Sequence, residues 1–182
     1  MRISKPAWSI VVIIATAFMV LLVLYEPLLK GRFPPESTKV TLHSSSGATH
    51  TLSAEVVTTP RQMERGLSGR KQIGDDEGML FVFPGVRNPD TTQFNMGRML
   101  FPLDIAFIDQ DGVVVGIITV PPCRTLSNLR ACPRYPSPEP FLAALEVNAG
   151  LLDSLGIQVG DRIEWVEVPT KRWSASIITL FR

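Results

Sequence analysis

One acidic residue stands inside an otherwise apolar stretch of strand length. Asp104 lies within Leu-Asp-Ile-Ala-Phe-Ile at residues 103–108. An ionised carboxylate there needs donors or a cation, because burying an unpaired charge is costly. Arg65, Arg70 and Arg98 are the candidate cations. Two interpretations follow: a salt bridge that ties a helix to the sheet, or a polar site of Asp104, Arg70 and Arg98 that holds a small polar or anionic ligand.

Methionines and phenylalanines flank these charged residues in short apolar runs. We expect most of them to form the core, with one or two lining a ligand pocket. Met96, in Phe-Asn-Met-Gly-Arg at residues 94–98, is the one we include among the candidate ligand-binding residues. The full set is Met79, Phe81, Phe83, Phe94 and Met96.

The sequence carries no motif for a metal, a cofactor or a catalytic nucleophile. The acidic run Asp75-Asp76-Glu77 lacks the ligand spacing of a calcium loop and is interpreted as a solvated loop. No Gly-x-Ser-x-Gly, phosphate loop or His-based metal motif occurs. We therefore expect no cofactor, no metal site and no assignable catalytic residue, although distant residues can still assemble a site.

The two cysteines, Cys123 and Cys132, lie in one Pro-rich segment. An even count at short range in an exported domain favours a disulfide, and two unpaired thiols are the alternative. The two cysteines do not predict a zinc site, because a structural zinc site needs four ligands and two would be missing. His43 and His50 look like hairpin residues instead.

The N-terminal region predicts a membrane anchor. Residues 7–25 contain no charge, and as a helix they would span about 28 Å, close to the hydrocarbon thickness of a bilayer. A signal peptide has a shorter apolar core and a small-residue cleavage site, which residues 26–32 lack. We expect a retained single-pass helix with the remainder extracytoplasmic, although flanking charges barely set the orientation.

The rest of the chain alternates short strands with turns. A hairpin at residues 39–57, a capped helix from Thr59, a strand at 78–83 ended by Pro-Gly, a strand at 91–96 and a hairpin around 109–112 are predicted. A strand at 144–148, a short helix at 151–156 and a strand at 161–168 follow. These elements predict a mainly β (α+β) fold, a small antiparallel β-barrel or rolled sheet with two short helices, plus the N-terminal transmembrane helix.

The predicted organisation has four parts. They are an anchor at residues 1–32, a tether at 33–38, a β domain at 39–168 and an amphipathic tail at 169–182. The tail could lie on the domain or on a membrane surface. A net charge of +1 gives no general attraction to nucleic acid.

The β domain resembles a known family. Residues 49–168 are similar to the bacterial and archaeal family catalogued as domain of unknown function 192. The motifs that carry the resemblance include Arg-Gly-Leu at 65–67, Glu-Gly-Met-Leu-Phe at 77–81, Pro-Leu-Asp-Ile at 102–105, Glu146, and Val-Gly-Asp at 159–161. The resemblance implies a compact, mainly β fold with a short early helix, frequent export or anchoring, and no established activity. Around Met96 the chain departs from the family pattern, since Asn95 precedes it and Gly97-Arg98-Met99 follow.

Three functions are compatible with these features. The first is a membrane-anchored binding or accessory module of the cell envelope, whose partner is a small molecule, a glycan or a protein. The second is an enzyme of unknown reaction with a site around Asp104 and nearby arginines. The third is a structural subunit of a membrane complex that assembles through its N-terminal helix.

Overall fold

The structure is a computed structural model that describes residues 12, 14–20, 36–123 and 129–166. Residues 14–20 are helical, and no helix in the described part is long and apolar enough to cross a membrane. Most of the predicted span at residues 7–25, and the predicted tail at 169–182, lie outside the described residues. The chain divides into two compact units, Met1–Pro34 and Pro35–Arg182, and the second carries the fold below.

The second unit is mainly β. Its elements, in chain order, are β1 (Glu36–His43), β2 (Thr49–Val57), helix α1 (Pro60–Arg65), β3 (Glu77–Arg87), β4 (Gln93–Asn95), β5 (Leu103–Ile108), β6 (Val114–Val120), a 3-10 helix (Leu129–Ala131), β7 (Arg134–Pro136), β8 (Phe141–Asn148), helix α2 (Leu151–Ser154) and β9 (Arg162–Trp165).

Seven strands form one curled sheet, a half-barrel, in the order β6-β5-β8-β3-β2-β1-β9. β4 and β7 form a separate two-stranded sheet. The edges of the large sheet meet at one end, where the Val114 amide donates to the Asp161 carbonyl and the Ile163 amide to the Gly112 carbonyl, both at 2.8 Å. The mainly β prediction is therefore confirmed.

One neighbouring pair, β2 and β3, is parallel, whereas every other described pair in the large sheet is antiparallel. A parallel pair needs a crossover connection, and here the segment containing α1 supplies it. Thr59 and Gln62 form the predicted capping box at the start of that helix.

The structure also corrects an element boundary. β3 does not end at Pro84-Gly85 but runs on to Arg87, with its pairing to β8 shifted between Val82 and Arg87. Proline and glycine fit this irregularity because no regular ladder hydrogen bond is needed there. The short β7 was not predicted at all.

The sheet has an apolar core on each face. The first core is enclosed by the curl and includes side chains from all seven strands, among them Val40, Leu80, Val114 and Ile163. The second core covers the opposite face, where Phe94 from β4 packs edge-on against Phe107 of β5 at 5.5 Å between ring centroids. The second core positions the site described next.

Candidate functional site

A pocket of about 920 Å³ opens on the side of the second core. Its walls come from α1 and the glycine-containing turn after it, from β4 with the loop that follows, and from the β7 region. Phe81, Phe83 and Phe94 give it an apolar lining. A cavity of this size, apolar with convergent polar groups, is typical of a small-molecule site.

The charge of the pocket lining is strongly positive. Among the described residues, five arginines and two carboxyl groups, those of Glu64 and Glu146, line it. We call these five the arginine group: Arg61, Arg65, Arg98, Arg130 and Arg134. A net charge of +1 for the whole chain means that this is a local concentration of positive charge.

Most of the arginine group has no internal counter-ion. Arg61, Arg65, Arg98 and Arg134 are exposed, and none makes a salt bridge or a side-chain hydrogen bond with another residue of the described part. Unpaired guanidinium groups present several donors each in a geometry that suits carboxylate and phosphate oxygens. The pocket is thus built to attract an anion.

Glu146 is the acidic group in the buried wall of the pocket. It lies on β8, directly opposite Met79 of β3 and Ile105 of β5, and its exposed fraction is 7%. Among the described residues no side chain or backbone group hydrogen-bonds its carboxyl. Burial disfavours the ionised form and raises the pKa of Glu146 to about 8. Burial therefore favours the neutral carboxylic acid over the carboxylate.

The backbone around Arg98 is held in an uncommon conformation. Arg98 has φ 63°, the only positive φ among the non-glycine residues described. The Gly69 amide donates to the Arg98 carbonyl at 2.9 Å, and the Met99 amide donates to Met96 at 3.2 Å. These bonds fix where the side chain of Arg98 leaves the loop.

A disulfide joins Cys123 to Cys132, whose Cα atoms are 5.7 Å apart. The predicted bond is thus present in the structure. Cys132 itself lines the pocket, between Arg130 in the 3-10 helix and Arg134 in β7. The Cys123 amide donates to the Met96 carbonyl at 3.1 Å. The disulfide therefore anchors the segment that carries Arg130 and Arg134 beside the loop that carries Arg98.

Asp104 has a different environment from the expected one. Its side chain, 2% exposed, accepts hydrogen bonds from the Thr119 hydroxyl at 2.7 Å and from the Gly150 and Leu152 amides at 2.8 and 3.2 Å. Those amides belong to the start of α2, where Gly150 cannot cap. Asp104 therefore caps a helix from a neighbouring strand, and it does not line the pocket.

The other predicted ligand-binding residues differ in their surroundings. Arg70 is paired with Glu55 through two hydrogen bonds of 2.6 Å each, which raise the pKa of Arg70. Met96 is 1% exposed within the second core. Arg98 alone among the four candidates lines the pocket. Asp104 and Arg70 are engaged by other groups and do not line the pocket.

Sequence reasoning missed Glu146 as a site residue. It lies in Ala-Leu-Glu-Val at residues 144–147, a lone carboxyl in an apolar strand, which is the same signal that singled out Asp104.

For metal binding, no group of three or more His, Cys, Asp or Glu side chains could hold an ion within the described part of the chain. The arrangement can hold an anion and can donate a hydrogen bond from Glu146.

The sequence matches one family model. The domain of unknown function 192, described as an uncharacterised ACR, matches residues 41–165. None of the curated proteins matches the chain.

Two solved structures are similar to it. A proposed transcription regulator from Sinorhizobium meliloti 1021 is 35% identical, with a TM-score of 0.63 over 74% of this chain and 97% of that one. A protein of unknown function from Novosphingobium aromaticivorans DSM 12444 is 36% identical, with a TM-score of 0.56 over 70% of this chain and 84% of that one.

Proposed function

The chain belongs to the domain of unknown function 192 family, and since that membership assigns no activity, we propose from the pocket that it is a binding module for small anionic ligands at the cell envelope. The observation that supports the proposal is the arginine group. Five guanidinium groups line one cavity, and four of them have no counter-ion in the described part. An anion would supply the missing partner.

The first test is anion binding by the isolated second unit, residues 35–182. Titration calorimetry with phosphate, pyrophosphate and citrate should show saturable binding that weakens as salt is added. Replacing Arg65→Gln or Arg134→Gln should weaken binding by about 1–2 kcal/mol, or roughly tenfold, since each removes charged donors.

The matched control is Lys39→Gln. Lys39 is an exposed residue on β1 that does not line the pocket, so it removes the same charge elsewhere. A loss of affinity in Lys39→Gln equal to that in the arginine variants would show only general charge attraction. No binding of any of the three anions would refute the proposal.

The location at the cell envelope rests on two features. Residues 7–25 form an uncharged segment of membrane-spanning length, and the disulfide between Cys123 and Cys132 fits an oxidising compartment. We propose a retained single-pass anchor with the β domain extracytoplasmic. Protease added to intact spheroplasts should remove the domain of the full chain from the membrane pellet, and full protection would place the domain on the cytoplasmic side.

The candidate natural partners are a small molecule, a glycan and a protein, and the pocket favours a small anionic molecule. A small anionic molecule fits a concave cavity, whereas a neutral glycan would supply no counter-ion for Arg61, Arg65, Arg98 and Arg134. A protein partner would have to insert an acidic side chain or a terminal carboxylate into the pocket. An unrelated anchor in place of the N-terminal helix should keep ligand binding, which separates this module from a subunit that assembles through that helix.

Nucleic acid is not the expected ligand, although the similar Sinorhizobium meliloti protein is described as a proposed transcription regulator. The chain has a net charge of +1, and its arginine group lines a cavity. DNA binding by contrast relies on an extended basic surface. Duplex DNA added in a gel-shift assay at physiological salt should therefore produce no shift.

A further inference from the structure

The buried wall of the pocket contains a polar group that anion binding alone does not use. Glu146 is 7% exposed and has no hydrogen-bond partner within the described part of the chain. Its carboxyl oxygens are not among the fully enclosed polar atoms of the described part that lack a hydrogen bond, which are His43 Nε2 and Arg87 Nε, so they are open to the pocket. Because Glu146 also lines the pocket, a ligand can reach its carboxyl.

The surroundings of Glu146 determine what it can offer. On the two flanking strands its direct neighbours are Met79 and Ile105, which are apolar. The charged groups that face the same pocket from the other elements are Arg61, Glu64, Arg65, Arg98, Arg130 and Arg134. Desolvation raises the pKa of Glu146 to about 8, which favours the protonated form and thus a carboxylic O–H that can point to the pocket. A protonated carboxyl is a hydrogen-bond donor and needs an acceptor.

We propose that the pocket selects two-headed ligands, in which an anionic group binds the arginine group and an uncharged carbonyl oxygen accepts a hydrogen bond from Glu146. Oxo-acids are the simplest such class. This inference rests on the proposed anion site and adds the second contact. An ammonium group is not expected at Glu146, because the arginine group would repel it and because the carboxyl would have to ionise among apolar neighbours to pair with it.

The proposal predicts a proton-linked preference. Below the pKa of Glu146 the carboxyl donates, and an oxo-acid gains a hydrogen bond that the plain fatty acid of equal length lacks. Above that pKa the ionised carboxylate can only accept, and it repels the carbonyl oxygen. The preference for the oxo-acid should therefore be present at about pH 6.5 and lost at about pH 9.5.

The experiment compares matched probes on the isolated second unit. NMR titrations would use levulinate, 5-oxohexanoate and 6-oxoheptanoate beside pentanoate, hexanoate and heptanoate, so that chain length scans the unknown span between the two heads. At about pH 6.5 at least one oxo-acid should bind roughly tenfold tighter than the fatty acid of equal length. Glu146→Leu should remove this preference, while Glu146→Gln should retain it at both pH values, because an amide donates without titrating.

The outcomes separate the two proposals. Equal binding of every pair at about pH 6.5, with Arg65→Gln still weakening both members, would refute the role of Glu146 and leave the anion site standing. No binding of any of these carboxylates to a protein that still binds phosphate, pyrophosphate or citrate would also refute the two-headed ligand, whereas no binding of those three anions either would refute the anion site itself. Should either Glu146 variant fail to fold, the wild-type comparison at the two pH values still decides the question.

Discussion

Single residues in this protein show how burial determines the role of a carboxyl group. Asp104 and Glu146 both lie in apolar strands and are both nearly inaccessible to water. Asp104 accepts three hydrogen bonds, whereas Glu146 has no partner in the described structure. The first is therefore a structural acceptor, and the second is available to a ligand.

The pKa of Glu146 predicts a pH dependence of stability. Between the unfolded value near 4.5 and the folded value of about 8, the unfolded chain loses this proton while the folded chain keeps it. The free energy of unfolding should thus fall as pH rises through this window, by on the order of 5 kcal/mol, and stay low above it. Urea unfolding of Glu146→Gln should show that contribution removed.

The comparison needs a control, because other groups also titrate. Glu64→Gln replaces an exposed carboxyl that lines the same pocket, and its unfolding should follow the wild-type pH profile. A Glu146→Gln profile parallel to that of wild type from about pH 5 to 9 would contradict the assignment.

Asp104→Asn should destabilise the protein without affecting anion binding. The amide keeps the shape but places an N–H₂ group against donors, which costs about 1–3 kcal/mol. Anion affinity should be unchanged, since Asp104 does not line the pocket. Asp153→Asn, an exposed change on α2, should shift urea unfolding by less than about 0.5 kcal/mol. Loss of anion affinity at full stability would instead support an enzyme or ligand site around Asp104.

The sequence predicts part of the site, for a physical reason. The strand pattern predicts that Asp104 and Glu146 are buried, but it does not predict their surroundings. The amides of Gly150 and Leu152 bind Asp104, whereas Glu146 faces the pocket without a partner in the described part. Arg70 was expected in the ligand site, yet Glu55 on β2 pairs with it. Residues far apart in sequence decide these pairings, and no local pattern encodes them.

At the level of secondary structure, the disulfide links the arginine-bearing segment to the pocket. Replacing both cysteines, Cys123→Ser with Cys132→Ser, should destabilise the protein by roughly 2–3 kcal/mol, because the bond no longer restricts the unfolded chain. Anion affinity should also fall, since Arg130 and Arg134 lie on either side of Cys132. Thermal melts and calorimetry of the variant beside reduced wild type would measure both effects. An unchanged affinity would mean that the segment keeps its place without the bond.

Local sequence signals were reliable where the structure they encode is local. The capping box at Thr59 and the hairpin turn whose Asp109 carboxylate accepts from the Asp111 and Val113 amides are both present. β7 was not predicted, because its three residues, which end in a proline, are too few to show a repeating hydrophobic pattern. The strand is defined by its pairing with β4. The parallel pairing of β2 with β3 is likewise a tertiary outcome.

At the level of the whole molecule, the contact between the two edges of the sheet should make unfolding cooperative. The Val114 and Ile163 amides lie on edge strands but donate across the closure at 2.8 Å. We expect their hydrogen exchange to be as slow as that of Leu145 in central β8. Native-state exchange measured by NMR would test this. Exchange faster by several orders of magnitude would show that the sheet opens at its edges first.

The meeting of β6 and β9 has a consequence for behaviour at high concentration. An unpaired strand edge is a template on which a second molecule can add a strand, and long chains of such additions become fibrils. Here each edge is partly occupied by the other, and Pro138 lies against Gly116 on β6, where it leaves no room even for a methyl group. Concentrated solutions of the domain should therefore age without fibril growth, so long as the two edges remain together.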